Sequence, residues 1–200
     1  MADPVNSDTL RQAMDAQDVT DNETRAGLAA IAMGESAMQG STEQGYAHTN
    51  DARIHLVFGS RVDLPDATLD EIKADDRKFF DLVYGGPWGL TNLGNNPGTD
   101  DGYNFRGRGF IQLTGRANYQ RYSTKIGHPE IMADPDLANT PNLAAALAVA
   151  YILDRYHGGG FQAMMNCVGN NTPDIAATKE RYYAQFLASG EFNAVPPPDG

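Results

Sequence analysis

The chain has 200 residues, 41% of them hydrophobic and 20% charged, enough for one sizeable core and too short to presume two full domains. Its net charge of −11 argues against a general binder of nucleic acid or of anionic membranes. No apolar run reaches the roughly 18 residues of a membrane span, and the polar start MADPVNSDTLRQAMD lacks a secretory pattern, so synthesis in a cytoplasm is expected.

Ser7–Gln17 reads as a short helix capped by Ser7, with Leu10 and Met14 on one face. Thr20-Asp21-Asn22-Glu23 has capping-box spacing and predicts a helix running to about Gln39, closed by Gly40. Along it Leu28, Ile31, Glu35 and Met38 form one stripe, so Glu35 interrupts the core-facing side. Ser41–Asn50 reads as a loop or small hairpin, Asn50–Phe58 as a helix closed by Gly59, and Asp66 as the cap of another through Leu69 and Ile72. Phe79, Phe80, Leu82 and Val83 supply a packed segment, and Trp88–Gly102, rich in Gly, Asn, Asp and Pro, is expected to be irregular.

Phe110–Leu113 reads as a short extended or buried segment, and Arg116–Ile126 as a helix. Thr140-Pro141 opens the most apolar helix, which Gly158-Gly159-Gly160 ends. Phe161–Val168 forms a shorter helix and Thr172-Pro173 starts the last one. The sum is a mainly α domain over residues 1–193, with at most a small β-hairpin near residues 41–49 and two helical lobes around a groove. Residues 194–200 are expected to form a disordered, Pro-rich tail.

Hydrolysis of a sugar polymer needs one carboxyl that holds a proton near neutral pH and one that does not. Glu35, on an apolar stripe, is expected to be the sheltered acid, and Glu43, in a polar loop, the hydrated one. Thr49 is a candidate to hold a water. Gln112, Thr114 and Asn118 carry neutral groups suited to sugar hydroxyls and acetamido groups. The four histidines are scattered without metal-ligand spacing, and Cys167 reads as a packing residue, so no metal or organic cofactor is expected. Tyr103–His128 holds five bases and no acid, placed to offset buried carboxylates or to face an anionic polymer.

Gly107-Arg108-Gly109-Phe110-Ile111-Gln112-Leu113-Thr114, followed by Asn118-Tyr119, resembles the signature of the glycoside hydrolase family 19 chitinases, and most of all the bacteriophage endolysins related to them. The likeness extends more loosely from about Leu28 to Leu187. It implies a lysozyme-like fold and hydrolysis of β-1,4 bonds between N-acetylated sugars. By position, Glu35 matches the general acid, with Gly34 where the family usually has His, and Glu43 matches the second carboxylate. The spacing Glu35, Glu43, Thr49 is similar to the Glu–acid–Thr arrangement of phage lysozymes. Gln112, Thr114 and Asn118 match the water- and sugar-binding trio, and Arg108 and Tyr119 fall within the substrate-binding signature. Asn166 resembles the asparagine of the family's Ile-Asn-Gly, with Cys167 replacing the glycine. The family's late arginine falls nearest to Lys179.

The resemblance implies a monomeric, muramidase-type endolysin acting on peptidoglycan glycan strands, inverting at the anomeric carbon, released from the host cytoplasm to the cell wall through a separate membrane pore protein. A chitinase, a lytic transglycosylase and a non-catalytic glycan-binding phage protein are the alternatives.

Overall fold

The computed structural model describes residues 4–169 and 171–195. Among them the chain is mainly α. Its helices are α1 (Pro4–Ala16), α2 (Asn22–Ser36), α3 (Asp51–Phe58), α4 (Asp66–Lys73), α5 (Asp76–Tyr84) and α6 (Gly86–Leu93). After these come α7 (Asp101–Asn104), α8 (Arg116–Lys125), α9 (Pro141–Arg155), α10 (Gly160–Met165) and α11 (Pro173–Ser189). No β-strand occurs among the described residues, and the hairpin allowed near residues 41–49 reduces to a single bridge residue, Thr42. The tail beyond Val195 lies outside the described residues.

The chain divides into two units, each discontinuous in sequence. The first comprises Met1–Ser41, Arg108–Ile111 and Asp136–Gly200; the second comprises Thr42–Gly107 and Gln112–Pro135. Where chain length led to the expectation of one domain, the contacts define two units, each interrupted in sequence by the other.

In the first unit α2 packs against α10 and α11, and α1 against α9. Eight successive residues of α2, Arg25 to Ala32, are buried, so this helix is surrounded on all sides instead of showing one apolar stripe. Small side chains at Ala26, Gly27, Ala29, Ala30 and Ala32 allow that. Arg25 is tolerated inside because its guanidinium donates to Asp15 Oδ1 at 2.6 Å and to the Val19 carbonyl at 2.9 Å.

Helix ends differ from expectation in three places. Ser7, expected as a cap, is buried within α1. The cap of α2 is Asp21, one residue after Thr20, and it accepts the Thr24 N–H at 2.7 Å. At its other end α2 stops at Ser36, three residues before Gln39, because Ala37 and Met38 both adopt left-handed backbone (φ 53° and 58°). That turn carries Met38 into the core, where it is fully buried. Glu35 is consequently the penultimate residue of α2.

In the second unit Ile54, Phe58, Val62, Leu69, Phe79, Phe80 and Val83 form the core. Asp75 caps α5 by accepting the N–H groups of Arg77 and Lys78, which sets Phe79, Phe80 and Val83 inward. Trp88–Gly102 is not irregular throughout. Pro87 preorganises the first turn of α6, Gly94 closes it at φ 66°, and a further turn, α7, follows. Local composition hides α6 because Gly86 and Pro87 sit at its start and Gly94 just past its end, where they are compatible with helix, and Gly89 alone falls inside it.

The stretch from Phe105 to Gly115 lies between α7 and α8 and is divided between the units. Phe110 and Ile111 join the first unit's core. Gln112 belongs to the second and has φ 53°, a left-handed conformation that costs a non-glycine residue energy. The segment is buried, as expected, and turned instead of extended.

Candidate functional site

Each unit holds one of the two singled-out carboxylates. In the first, Lys179 of α11 donates from Nζ to Glu35 Oε1 at 2.5 Å and to Asn171 Oδ1 at 2.7 Å. The lysine is fully buried, whereas the Glu35 side chain keeps 18% of its exposure. Asn171 is fixed in turn, its amide donating to the carbonyls of Met165 and Val168. Gly34 leaves the space this needs: a Cβ there would lie 2.5 Å from Lys179 Cγ. Glycine at that position and lysine on α11 are therefore one packing solution.

Other candidates in this unit are placed differently. Asn166 is exposed at the end of α10, and Asn171, which nothing in the sequence singled out, makes the buried contact. Arg108 is 3% exposed and donates to Asp136 Oδ1 at 2.7 Å, so it braces the fold, and a substrate-contact role is corrected to a structural one. Cys167 is half-buried, its thiol donates to the Ala163 carbonyl, and burial pushes its pKa up, all fitting a packing residue.

In the second unit Glu43 follows the bridge residue Thr42. Its backbone N–H donates to the Gly107 carbonyl at 2.8 Å, and the Gly107 N–H approaches its Oε2 at 3.4 Å. The Tyr84 hydroxyl donates in a bifurcated bond, 3.0 Å from each carboxylate oxygen, and the Tyr46 hydroxyl donates to Oε1 at 3.2 Å. Burial raises the Glu43 pKa, with the two hydroxyls, the Gly107 amide and the nearby Arg106 acting in the opposite direction. Glu43 is thus partly withdrawn from solvent, which corrects the expectation of a hydrated loop carboxylate. The physical reason is aromatic. Tyr46 stacks on Phe79 and Tyr84 on Phe80, so the walls around the carboxylate are rings of the unit's core. The same surroundings raise the Tyr46 pKa to about 12, and that of Tyr84 as well.

Gln112 reaches the same place. A Cβ built on Gly107 would lie 2.8 Å from Gln112 Oε1 and 3.3 Å from Glu43 Oε2, so the two side chains converge on a glycine without room for more. Thr114 donates its hydroxyl to the Gln112 carbonyl at 2.9 Å, and Asn118 donates its amide to the Thr114 carbonyl at 2.7 Å. Thr49 ends the turn after Tyr46 and is half-buried; its carbonyl accepts from Lys73 at 3.2 Å. Tyr119 is 0% exposed, packs its ring at a tilt against Phe105 and donates to the Arg106 carbonyl at 2.9 Å. It holds the loop that carries Gly107, and direct contact with a ligand is corrected accordingly.

The basic stretch is matched largely from within. Arg106 lies over the Tyr103 ring and acts on Glu43, Arg108 pairs with Asp136, and Arg116 approaches the buried Asp101 at 3.4 Å. Arg106 and Arg116 thus face carboxylates that are partly or fully buried, whereas the Asp136 side chain opposite Arg108 is largely exposed. Among the described residues no group of three or more His, Cys, Asp and Glu is placed to hold a metal ion. No described helix is long and apolar enough to cross a membrane.

Fold and site define a mainly helical protein in which each of two units holds one of the two singled-out carboxylates in contact with buried or half-buried donors. Comparison with protein-family models and with curated proteins finds no match.

Proposed function

We propose that the chain is a glycoside hydrolase of the phage-endolysin kind, which degrades peptidoglycan by cleaving β-1,4 bonds between N-acetylated amino sugars. The observation that carries this reading is the two-point docking of Glu43 on Gly107, by backbone and by carboxylate. It joins two stretches that the sequence singles out on separate grounds. A carboxylate whose pKa is raised while it accepts several hydrogen bonds is suited to a general base, since basicity near the working pH is what proton abstraction needs.

In this reading Glu35, which must first take up a proton at the expense of its ion pair with Lys179, donates that proton to the leaving oxygen. Glu43 takes a proton from the attacking water, with Thr49 and Thr114 positioning it, and the anomeric configuration inverts. Gln112 and Asn118 hold sugar hydroxyl and acetamido groups. The substrate is the glycan strand, the protein acts as a monomer, and it reaches the wall from the host cytoplasm through a separate pore protein.

Loss of turbidity by outer-membrane-permeabilised Gram-negative cells, with product analysis on purified peptidoglycan, tests the reading. Wild type is expected to lyse the cells and release new reducing ends. Glu35→Gln and Glu43→Gln are each expected to lose more than about 100-fold in rate. Binding without lysis overturns the enzyme reading in favour of a glycan-binding protein, and cleavage of chitin oligomers alone makes it a chitinase. Anhydro-sugar ends from a fully active Glu43→Gln variant indicate a transglycosylase.

A further inference from the structure

We propose that Tyr84 is the positioning residue of Glu43: its hydroxyl fixes the carboxylate's rotation, and Tyr46, bonded to Oε1 alone, leaves Oε2 as the oxygen that accepts the proton. The proposal rests on the reading of Glu43 as general base.

The geometry is specific. A carboxylate offers about four lone-pair sites. The Tyr84 hydroxyl is 3.0 Å from both oxygens and therefore sits between them, on the inner side of the group. Tyr46 adds a second hydroxyl to Oε1 at 3.2 Å, whereas Oε2 receives only the longer 3.4 Å approach of the Gly107 N–H. Oε1 is thus the more heavily engaged oxygen, and Oε2 keeps the stronger basic lone pair. Oε2 is also the oxygen on the side of Gly107 and Gln112 Oε1, where the polar signature residues converge.

The tyrosine is itself held. Its ring stacks on Phe80 at a 5.9 Å centroid distance and 13° between planes, and Arg61 lies 5.9 Å above its centroid. Tyr46 is anchored on Phe79 at 4.8 Å. Both rings belong to the periphery of the same core, so the hydroxyls are presented at set positions, as a preorganised site requires. The phenols act as donors throughout the working pH range. The Tyr46 pKa stands at about 12 and that of Tyr84 is raised also, so neither becomes a competing anion beside Glu43.

The experiment is Tyr84→Phe, which keeps the ring and its stacking and removes the hydroxyl. The Glu43 carboxyl is titrated by NMR with carbon-13-labelled glutamate, and the pH profile of kcat/KM for peptidoglycan is measured in parallel. Loss of a donor to the charged form is expected to tighten proton binding at Glu43 on the order of tenfold. The acid limb of the pH profile is expected to move to higher pH by the same amount. Tyr46→Phe, which removes one longer bond to Oε1, is expected to change both in the same direction and by less. It also supplies the test if Tyr84→Phe does not fold. An unchanged Glu43 titration in folded Tyr84→Phe and Tyr46→Phe overturns the positioning proposal. A moved titration with an unmoved acid limb shows that the tyrosine holds Glu43 and that Glu43 is not the base.

Discussion

Lys179 Nζ lies 2.5 Å from Glu35 Oε1, an ion pair between residues 144 positions apart whose cationic half is fully buried. Removing the carboxylate leaves an ammonium with only Asn171 to accept from it, and a buried unpaired charge is costly. Glu35→Ala is therefore expected to destabilise by about 3 kcal/mol. Glu35→Gln, which retains an acceptor, is expected to lose on the order of 1 kcal/mol. Urea unfolding midpoints for the two variants check the ranking, and equal losses would mean that the pair contributes packing alone.

Gly34→Ala tests the same relationship from its neighbour. The new Cβ would stand 2.5 Å from Lys179 Cγ, on a side chain buried too deeply to step aside. Overpacking of this kind costs about 1–3 kcal/mol. In a Lys179→Ala background the penalty is expected to vanish, so a double-mutant cycle should return a coupling close to the whole effect.

Glu43 makes stability depend on pH in a direction opposite to that of most carboxylates. Its folded-state pKa is raised, so the folded protein binds that proton more tightly than the unfolded chain does. The contribution is fully present below the unfolded pKa and is lost as pH rises through the folded one. Above that pH the site holds an ionised, partly desolvated group at some cost. Glu43→Gln is expected to be more stable than wild type there, on the order of 1 kcal/mol, while losing activity. Denaturation midpoints measured down to about pH 4 should converge; a gap that widens on acidification contradicts the assignment.

Gln112 holds a left-handed backbone with φ 53° that glycine adopts without strain. Gln112→Gly is expected to leave the melting temperature unchanged or slightly higher, with lysis reduced more than about tenfold by loss of the amide. Gln112→Val, β-branched at the same φ, is expected to destabilise by about 1–2 kcal/mol. Thermal unfolding of both variants, beside the turbidity assay, separates a conformational role from a binding one.

Much of the helical layout was readable locally. Asn50 before Asp51 marks a helix start through a side-chain cap, and Pro141 and Pro173 mark two more through proline in the first turn, both acting locally. Gly59 marks an end as expected. The failures occurred where packing overrode local preference. Met38 leaves the α2 stripe to fill the core through a left-handed turn, and Ser7 is drawn inside α1.

For the candidate site, residue spacing singled out Glu35, Glu43 and Gln112 because each departs from its surroundings or falls in an unusual motif. Tyr46 had a faint signal, lying three residues after Glu43, and Tyr84 and Asn171 had none. Which side chains touch a carboxylate depends on contacts across 41 positions for Tyr84 and 144 for Lys179, and no local rule reaches that far. Composition and caps were sufficient for a mainly helical chain with two notable acids. That Glu43 is enclosed by tyrosines and Glu35 tethered to a buried lysine follows from tertiary packing alone, because desolvation and hydrogen bonding belong to the assembled surroundings of a group and not to its neighbours in sequence.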